Sequence, residues 1–215
     1  MAKKDRNGQR KKRNRRPPEM GYYLVVTDTK ETESNYFKGL RDSLPDEIKD
    51  RLVIKIVKTE TKNLIDECID LKRELRQYCI PWIVFDRDRV PDFDKILKRA
   101  DKLEIHVGWS NPCFETWMFG YFGNVPQIYD SKQCCKQFGD IYKKKTGQEY
   151  SKADKNLYSK LNQFGDEEKA IRRAKKKYKQ CQNDGKTKPS EMWPCTTVSK
   201  LVEEINCKRN DNRQS

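Results

Sequence analysis

The sequence predicts an α/β protein: a parallel sheet flanked by helices, followed by a basic helical C-terminal subdomain. Three observations support this. Short apolar runs alternate with stretches of helical spacing, the order that builds a parallel sheet through right-handed crossovers. The runs are apolar at nearly every position, as strands are when both faces are covered. Beyond about residue 130 the alternation stops and cations become dense.

Each element has its own signal. Tyr22 to Thr27 (YYLVVT) is a short apolar run, β-branched at its end, and reads as a buried strand. Thr32 or Ser34 can cap a helix through Tyr36, Phe37 and Leu40 that stops before Pro45. Leu52 to Val57 is the second strand. Asn63 to Tyr78 repeats apolar residues at helical spacing. Pro81 to Phe85 is the third strand, with proline tolerated at its first position. Phe93, Ile96, Leu97 and Ala100 mark another helix, and Leu103 to Val107 a fourth strand. Cys113 to Phe122 (CFETWMFGYF) is strongly apolar and predicts a buried helix. A helix with dense cations follows Gly165-Asp166, a loop spans Gly185 to Pro194, and a last helix lies near Thr197 to Ile205. The expected organisation is a disordered basic arm over 1–20, the α/β domain over 21–128, the helical subdomain over 129–208 packing back on the sheet, and a disordered tail over 209–215.

A chain of 215 residues buries a core without disulfide or metal staples. Its net charge of +14, from 47 Lys and Arg against 33 Asp and Glu, attracts polyanions, nucleic acid first among them. No apolar segment is long enough to span a membrane, and no apolar stretch follows the opening cations as in a secretory signal. A cytoplasmic protein with reduced thiols is therefore expected. The eight cysteines include no C-x-x-C pair, and His106 is the only histidine, so zinc is not expected and Cys134-Cys135 reads as incidental.

The cations concentrate in two places. Arg10, Lys11, Lys12, Arg13, Arg15 and Arg16 lie in the N-terminal arm, where they either bind phosphates or serve solubility. Arg172, Arg173, Lys176 and Lys177 lie on the basic helix, which either binds a nucleic-acid backbone or is a solvated face. Interleaved aromatics there, Tyr142, Tyr150, Tyr158 and Phe164, suit packing on the sheet better than base stacking.

The carboxylates carry the chemistry. In parallel sheets ligands bind beyond the carboxyl ends of strands. Asp28 follows the first strand, with Glu31 and Glu33 within a turn. Asp86 ends the third strand and Asp88 follows it. Glu115 stands at a helix start after the fourth. Carboxylates converging at close range repel one another, and a divalent cation removes that repulsion. Oxygen ligands without His or Cys select Mg²⁺ or Mn²⁺. Asp28, Asp86 and Asp88 can hold one such ion with positions left open for phosphate oxygens. The competing reading has Asp28 and Asp86 capping helices and Asp88 paired with Arg87 or Arg89. Ser110-Asn111-Pro112 reads as a turn, with Ser110 and Asn111 lining the crevice as the alternative. Arg87 either neutralises the acidic pair or contacts a phosphate; Lys30 is a further phosphate contact. His106 reads as a structural strand residue.

These residues also resemble a known family. LVVTDTKETESNYFKGL, FDRDRV, SNPCFETWMFGYF and TTVSKLVEEI are similar to segments of the RloB-like family, implicated in bacterial abortive infection. The resemblance implies a variant of the Toprim fold, shared with topoisomerases, primases and OLD-family nucleases. It implies that Asp86 and Asp88 are the D-x-D pair, that Glu33 is the second acid of the OLD-type first motif, and that Glu115 is the acid of the SNP-x-F-E segment. Asp28-Thr29 departs from the usual glutamate-glycine, offering a carboxylate on a side chain one methylene shorter. The expected function is a Mg²⁺- or Mn²⁺-dependent endonuclease of anti-phage defence, acting on RNA, tRNA included, or DNA. Asp28, Glu33, Asp86, Asp88 and Glu115 would hold the metal. An ABC/OLD-type ATPase is the partner the resemblance implies, and self-association is compatible with the sequence. The alternative is a non-catalytic nucleic-acid-binding or regulatory subunit of a defence complex.

Overall fold

The structure, a computed structural model, describes residues 22–27, 31–57, 59–75, 78–88 and 90–213. Among these lie nine α-helices and five strands. In chain order they are β1 (Tyr22–Thr27), α1 (Thr32–Asp42), α2 (Asp46–Lys49), β2 (Leu52–Ile56), α3 (Leu64–Glu74), β3 (Cys79–Asp86) and α4 (Phe93–Lys102). Then come β4 (His106–Asn111), α5 (Glu115–Phe122), α6 (Ser131–Thr146), α7 (Leu157–Phe164), α8 (Glu167–Asn183), β5 (Cys195–Thr196) and α9 (Val198–Arg213).

The sheet has the order β2-β1-β3-β4-β5. The first four strands are parallel, and β5 runs antiparallel to β4. This is an α/β architecture consistent with a Toprim-like fold. The chain moves from β1 outward to β2, then back past β1 to β3. The direction reverses between β1 and β3, and beyond their carboxyl ends a parallel sheet opens its crevice.

Both faces of the sheet are covered, which is why its strands read as continuous apolar runs. Tyr23, Val25, Trp82 and Val84 enter one core cluster, while Leu24, Val26, Ile83 and Phe85 enter the other. The first cluster also takes Trp117, Met118 and Phe119 of α5, Phe138 of α6, Leu161 of α7 and Leu201 of α9, so the helices past residue 129 share their core with the sheet. The second takes α3 and α4 through Leu64, Ile65, Phe93 and Ile96. Helices α5 and α8 approach closely: a Cβ on Gly120 would lie 3.0 Å from the Ala170 Cα.

The boundaries depart from the sequence reading in several places. The third strand begins at Cys79, which puts Pro81 inside it and not at its first position. The fourth strand begins at His106 instead of Leu103. Leu103, Glu104 and Ile105 instead close α4, with backbone bonds to Ala100 and Asp101 and a left-handed Glu104 (φ 55°). The strand therefore runs into polar residues, Ser110 and Asn111. They are tolerated in the interior because the Ser110 hydroxyl meets Thr196 Oγ1 at 3.1 Å and Asn111 Nδ2 donates to the Met192 carbonyl at 2.9 Å. Helix α3 stops at Glu74, four residues before an exposed Tyr78. Helix α9 continues to Arg213, beyond Lys208, where order was expected to end. No glycine or proline interrupts that stretch to stop it.

Candidate functional site

Three carboxylates from three elements influence one another electrostatically past the ends of β1 and β3. Asp86 is the last residue of β3, in register with Ser110 of β4. Glu33 is the second residue of α1 and is buried. Glu115 opens α5 and is 1% exposed. The backbone locks the loop before Glu115 to the end of β3. Arg87 N–H donates to the Ser110 carbonyl at 2.8 Å, and Asp88 N–H to the Pro112 carbonyl at 3.1 Å. The Asn111–Pro112 peptide between them is cis.

The electrostatics of the three acids are unequal. Asp86 is held well above the usual carboxylate range, first by burial, then by the charges of Glu33 and Glu115. A bond from the Phe114 backbone N–H and the Lys152 ammonium oppose this without cancelling it. One oxygen, Oδ1, is sealed from solvent and has no hydrogen-bond partner. Glu115 moves the other way. Burial raises it, but Lys152, the Cys113 thiol, its own backbone N–H and Tyr150 together pull it below the usual range. Lys152 Nζ lies 3.3 Å from Glu115 Oε1, and Tyr150 donates to the same oxygen at 2.8 Å. Asn35 of α1 donates to the Lys152 carbonyl at 3.2 Å, tying that segment to the site.

A partly buried acid raised in this way makes a testable contribution to stability. Its protonated form favours folding fully at pH below the ordinary carboxylate range, and that contribution is lost as pH rises through the raised value. In EDTA, Asp86→Asn, which cannot ionise against burial and the two neighbouring charges, is therefore more stable than wild type at neutral pH, by about 1–3 kcal/mol on the scale of desolvating an unpaired polar group. Below about pH 4 the advantage disappears. Urea denaturation at the two pH values measures this, and a less stable variant at neutral pH would refute it.

Other predicted residues fall elsewhere. Asp88 is exposed, in the turn after β3. Arg87 places its guanidinium 5.6 Å from the Trp193 ring centroid. Ser110 and Asn111 tie β4 to β5 and to the segment before it. His106 stacks on Trp82 with centroids 4.9 Å apart. On α8, Arg172 pairs with Glu168 at 3.5 Å, and Arg173 donates to the Gly120 carbonyl at 2.5 Å. Arg173, Lys176 and Lys177 line a cavity of about 230 Å³ together with Trp117, Val125 and Pro194. Asp28, Lys30, and Arg10, Lys11, Lys12, Arg13, Arg15 and Arg16 of the arm lie outside the described residues.

Sequence reasoning missed four residues here: Cys113, Cys135, Tyr150 and Lys152. One ligand atom each from Cys113, Glu115 and Cys135 lies within 4.8 Å of the others. Cys113 stands two residues before Glu115, a spacing that was legible. Cys135, Tyr150 and Lys152 arrive from α6 and the segment after it, and no local pattern links them to SNPCFE. Tyr150 does pack on aromatics, with Phe138 at 4.8 Å between centroids, and it also orients Glu115.

The fold and this cluster define an α/β protein with a buried acidic centre at the switch point of a parallel sheet. The model of the RloB-like protein family matches residues 23–205, which include every element that builds the centre. The chain belongs to that family. No curated protein and no solved structure matches it. Among the described residues, no helix is long and apolar enough to cross a membrane.

Proposed function

We propose that this chain is a metal-dependent nuclease effector of bacterial anti-phage defence, hydrolysing phosphodiesters in RNA, tRNA included, or DNA. Family membership suggests the defence-related role. The observation that carries the chemistry is Asp86: a carboxylate set against Glu33 and Glu115, with an interior oxygen that has no partner. That donor set is hard oxygen and fits Mg²⁺ or Mn²⁺. Asp86, Glu33 and Glu115 would hold the ion, with Asp88 and Asp28 completing the set. When bound, such an ion neutralises charge developing on a phosphate and lowers the pKa of water. The protein's own part is to position. The α5 N-terminus turns its positive end toward the same space, and Arg87, next in the chain after Asp86, would have to leave the Trp193 ring to reach a phosphate. Arg172, Arg173, Lys176 and Lys177, with the cations of the arm, hold the backbone of the nucleic acid. An ABC/OLD-type ATPase is the partner this role calls for.

A second reading, a non-catalytic nucleic-acid-binding or regulatory subunit, has one observation in its favour. Glu115 is already compensated by Lys152 and Tyr150, so it is stable without a cation. One experiment separates the two. The full chain is incubated with total RNA and with plasmid, in Mn²⁺ and in EDTA, and the ends are mapped. Defined ends that appear only with Mn²⁺ support the nuclease. Binding to either nucleic acid with no new ends in any metal selects the second reading.

A further inference from the structure

We propose that Cys113, Cys135 and Glu115 form a binding site for one thiophilic divalent cation of the zinc class. This site is distinct in chemistry from the hard-oxygen cluster on the Asp86 side of Glu115. Its three donor atoms lie within 4.8 Å of one another. Zinc holds sulfur at about 2.3 Å and carboxylate oxygen at about 2.0–2.2 Å, so ligand atoms around one ion sit roughly 3–4 Å apart. Small side-chain rotations close the remaining gap. Two sulfurs and one oxygen select zinc over magnesium, whose ligands are all oxygen.

The surroundings suit such an ion. Cys113 and Glu115 are buried, which keeps the donors dry, while Cys135 is half-buried and offers a way in. Tyr150 donates to Glu115 and fixes its orientation, the support that metal-bound carboxylates ordinarily receive. Lys152 supplies the positive charge at Glu115 in the metal-free chain, and its side chain is 49% exposed. An arriving cation can therefore displace that ammonium into water. Three protein donors leave a fourth position for water, as in open zinc sites.

Glu115 belongs to both groups, and this has a consequence that rests on the nuclease reading. A thiophilic ion on Cys113 and Cys135 withdraws Glu115 from the carboxylate cluster, so zinc inhibits cleavage supported by Mg²⁺. Binding itself does not depend on that reading.

The test is a Co²⁺ titration of the full reduced chain, followed by absorbance. The expected result is sulfur-to-cobalt charge transfer with tetrahedral d–d bands, saturating at one equivalent and bleached by one equivalent of Zn²⁺. Cys135→Ser loses the bands, whereas Cys207→Ser, at an exposed thiol, keeps them. Absence of the bands in wild type, their survival in Cys135→Ser, or their loss in Cys207→Ser would overturn the proposal. Alkylation gives a reading that needs no variant. Zn²⁺ slows the reaction of Cys135 with iodoacetamide about tenfold or more, because a bound thiolate is withheld from the reagent; an unchanged rate also overturns it. Neither readout requires cleavage activity, so failure here and failure of the nuclease reading are distinguishable.

Discussion

If the chain is the proposed nuclease, alanine at both Asp86 and Asp88 lowers metal-dependent cleavage by about a thousandfold, the scale of removing a principal electrostatic stabiliser from an active site. On the same reading, affinity for the nucleic acid stays near wild type, because the cations proposed to hold its backbone are elsewhere. The single variants are unequal. Asp86→Ala carries most of the loss, since Asp86 is the carboxylate set against Glu33 and Glu115. Asp88→Ala does less, since its side chain is exposed. Single-turnover rates on the mapped substrate, paired with gel-shift affinities, measure both effects. Cleavage that persists in the double variant would end the nuclease reading.

Lys152→Met lowers stability at neutral pH by about 2–3 kcal/mol. Removing one partner of a fully buried pair costs about 3–5 kcal/mol, and Lys152 is half in solvent, so the lower end and below applies. What remains is Glu115, 1% exposed, with Tyr150 and no compensating charge. The pH dependence is opposite in sign to that of Asp86. Glu115 is held below its usual range, so its contribution is present above that range and lost as pH falls through the folded value. The gap between wild type and Lys152→Met is therefore widest at neutral pH and closes in acid. Equilibrium denaturation across that interval measures it. A gap that is constant with pH would show that Lys152 acts by packing alone.

The signals that were legible are local ones. The first strand lies at Tyr22–Thr27 because YYLVVT suits no other buried element of that length. Asp86 ends a strand and Glu115 begins a helix, as an apolar run stopping at an acid and an acid opening an apolar helix both indicate. Ser110 and Asn111 defeated the pattern, because their burial in β4 is made possible by hydrogen bonds to Thr196 and Met192, far along the chain. The two-residue strand β5 has no period to detect. Cys135, Tyr150 and Lys152 reach Glu115 only through the path of α6, and that path is a matter of tertiary packing. A rule that looks for metal ligands at close spacing does not find thiols joined only by the fold.

Helix α5 begins at the acidic centre and continues as the middle of the larger core, through Trp117, Met118, Phe119 and Tyr121. Glu115 is thus one end of a rod whose other end is set by how α8 and α6 press on it. A modest loosening of that interior would tilt the rod and move the carboxylate before the chain as a whole came apart. Heat, or a cavity cut beneath Trp117, should disturb this centre while circular dichroism still reports a folded protein.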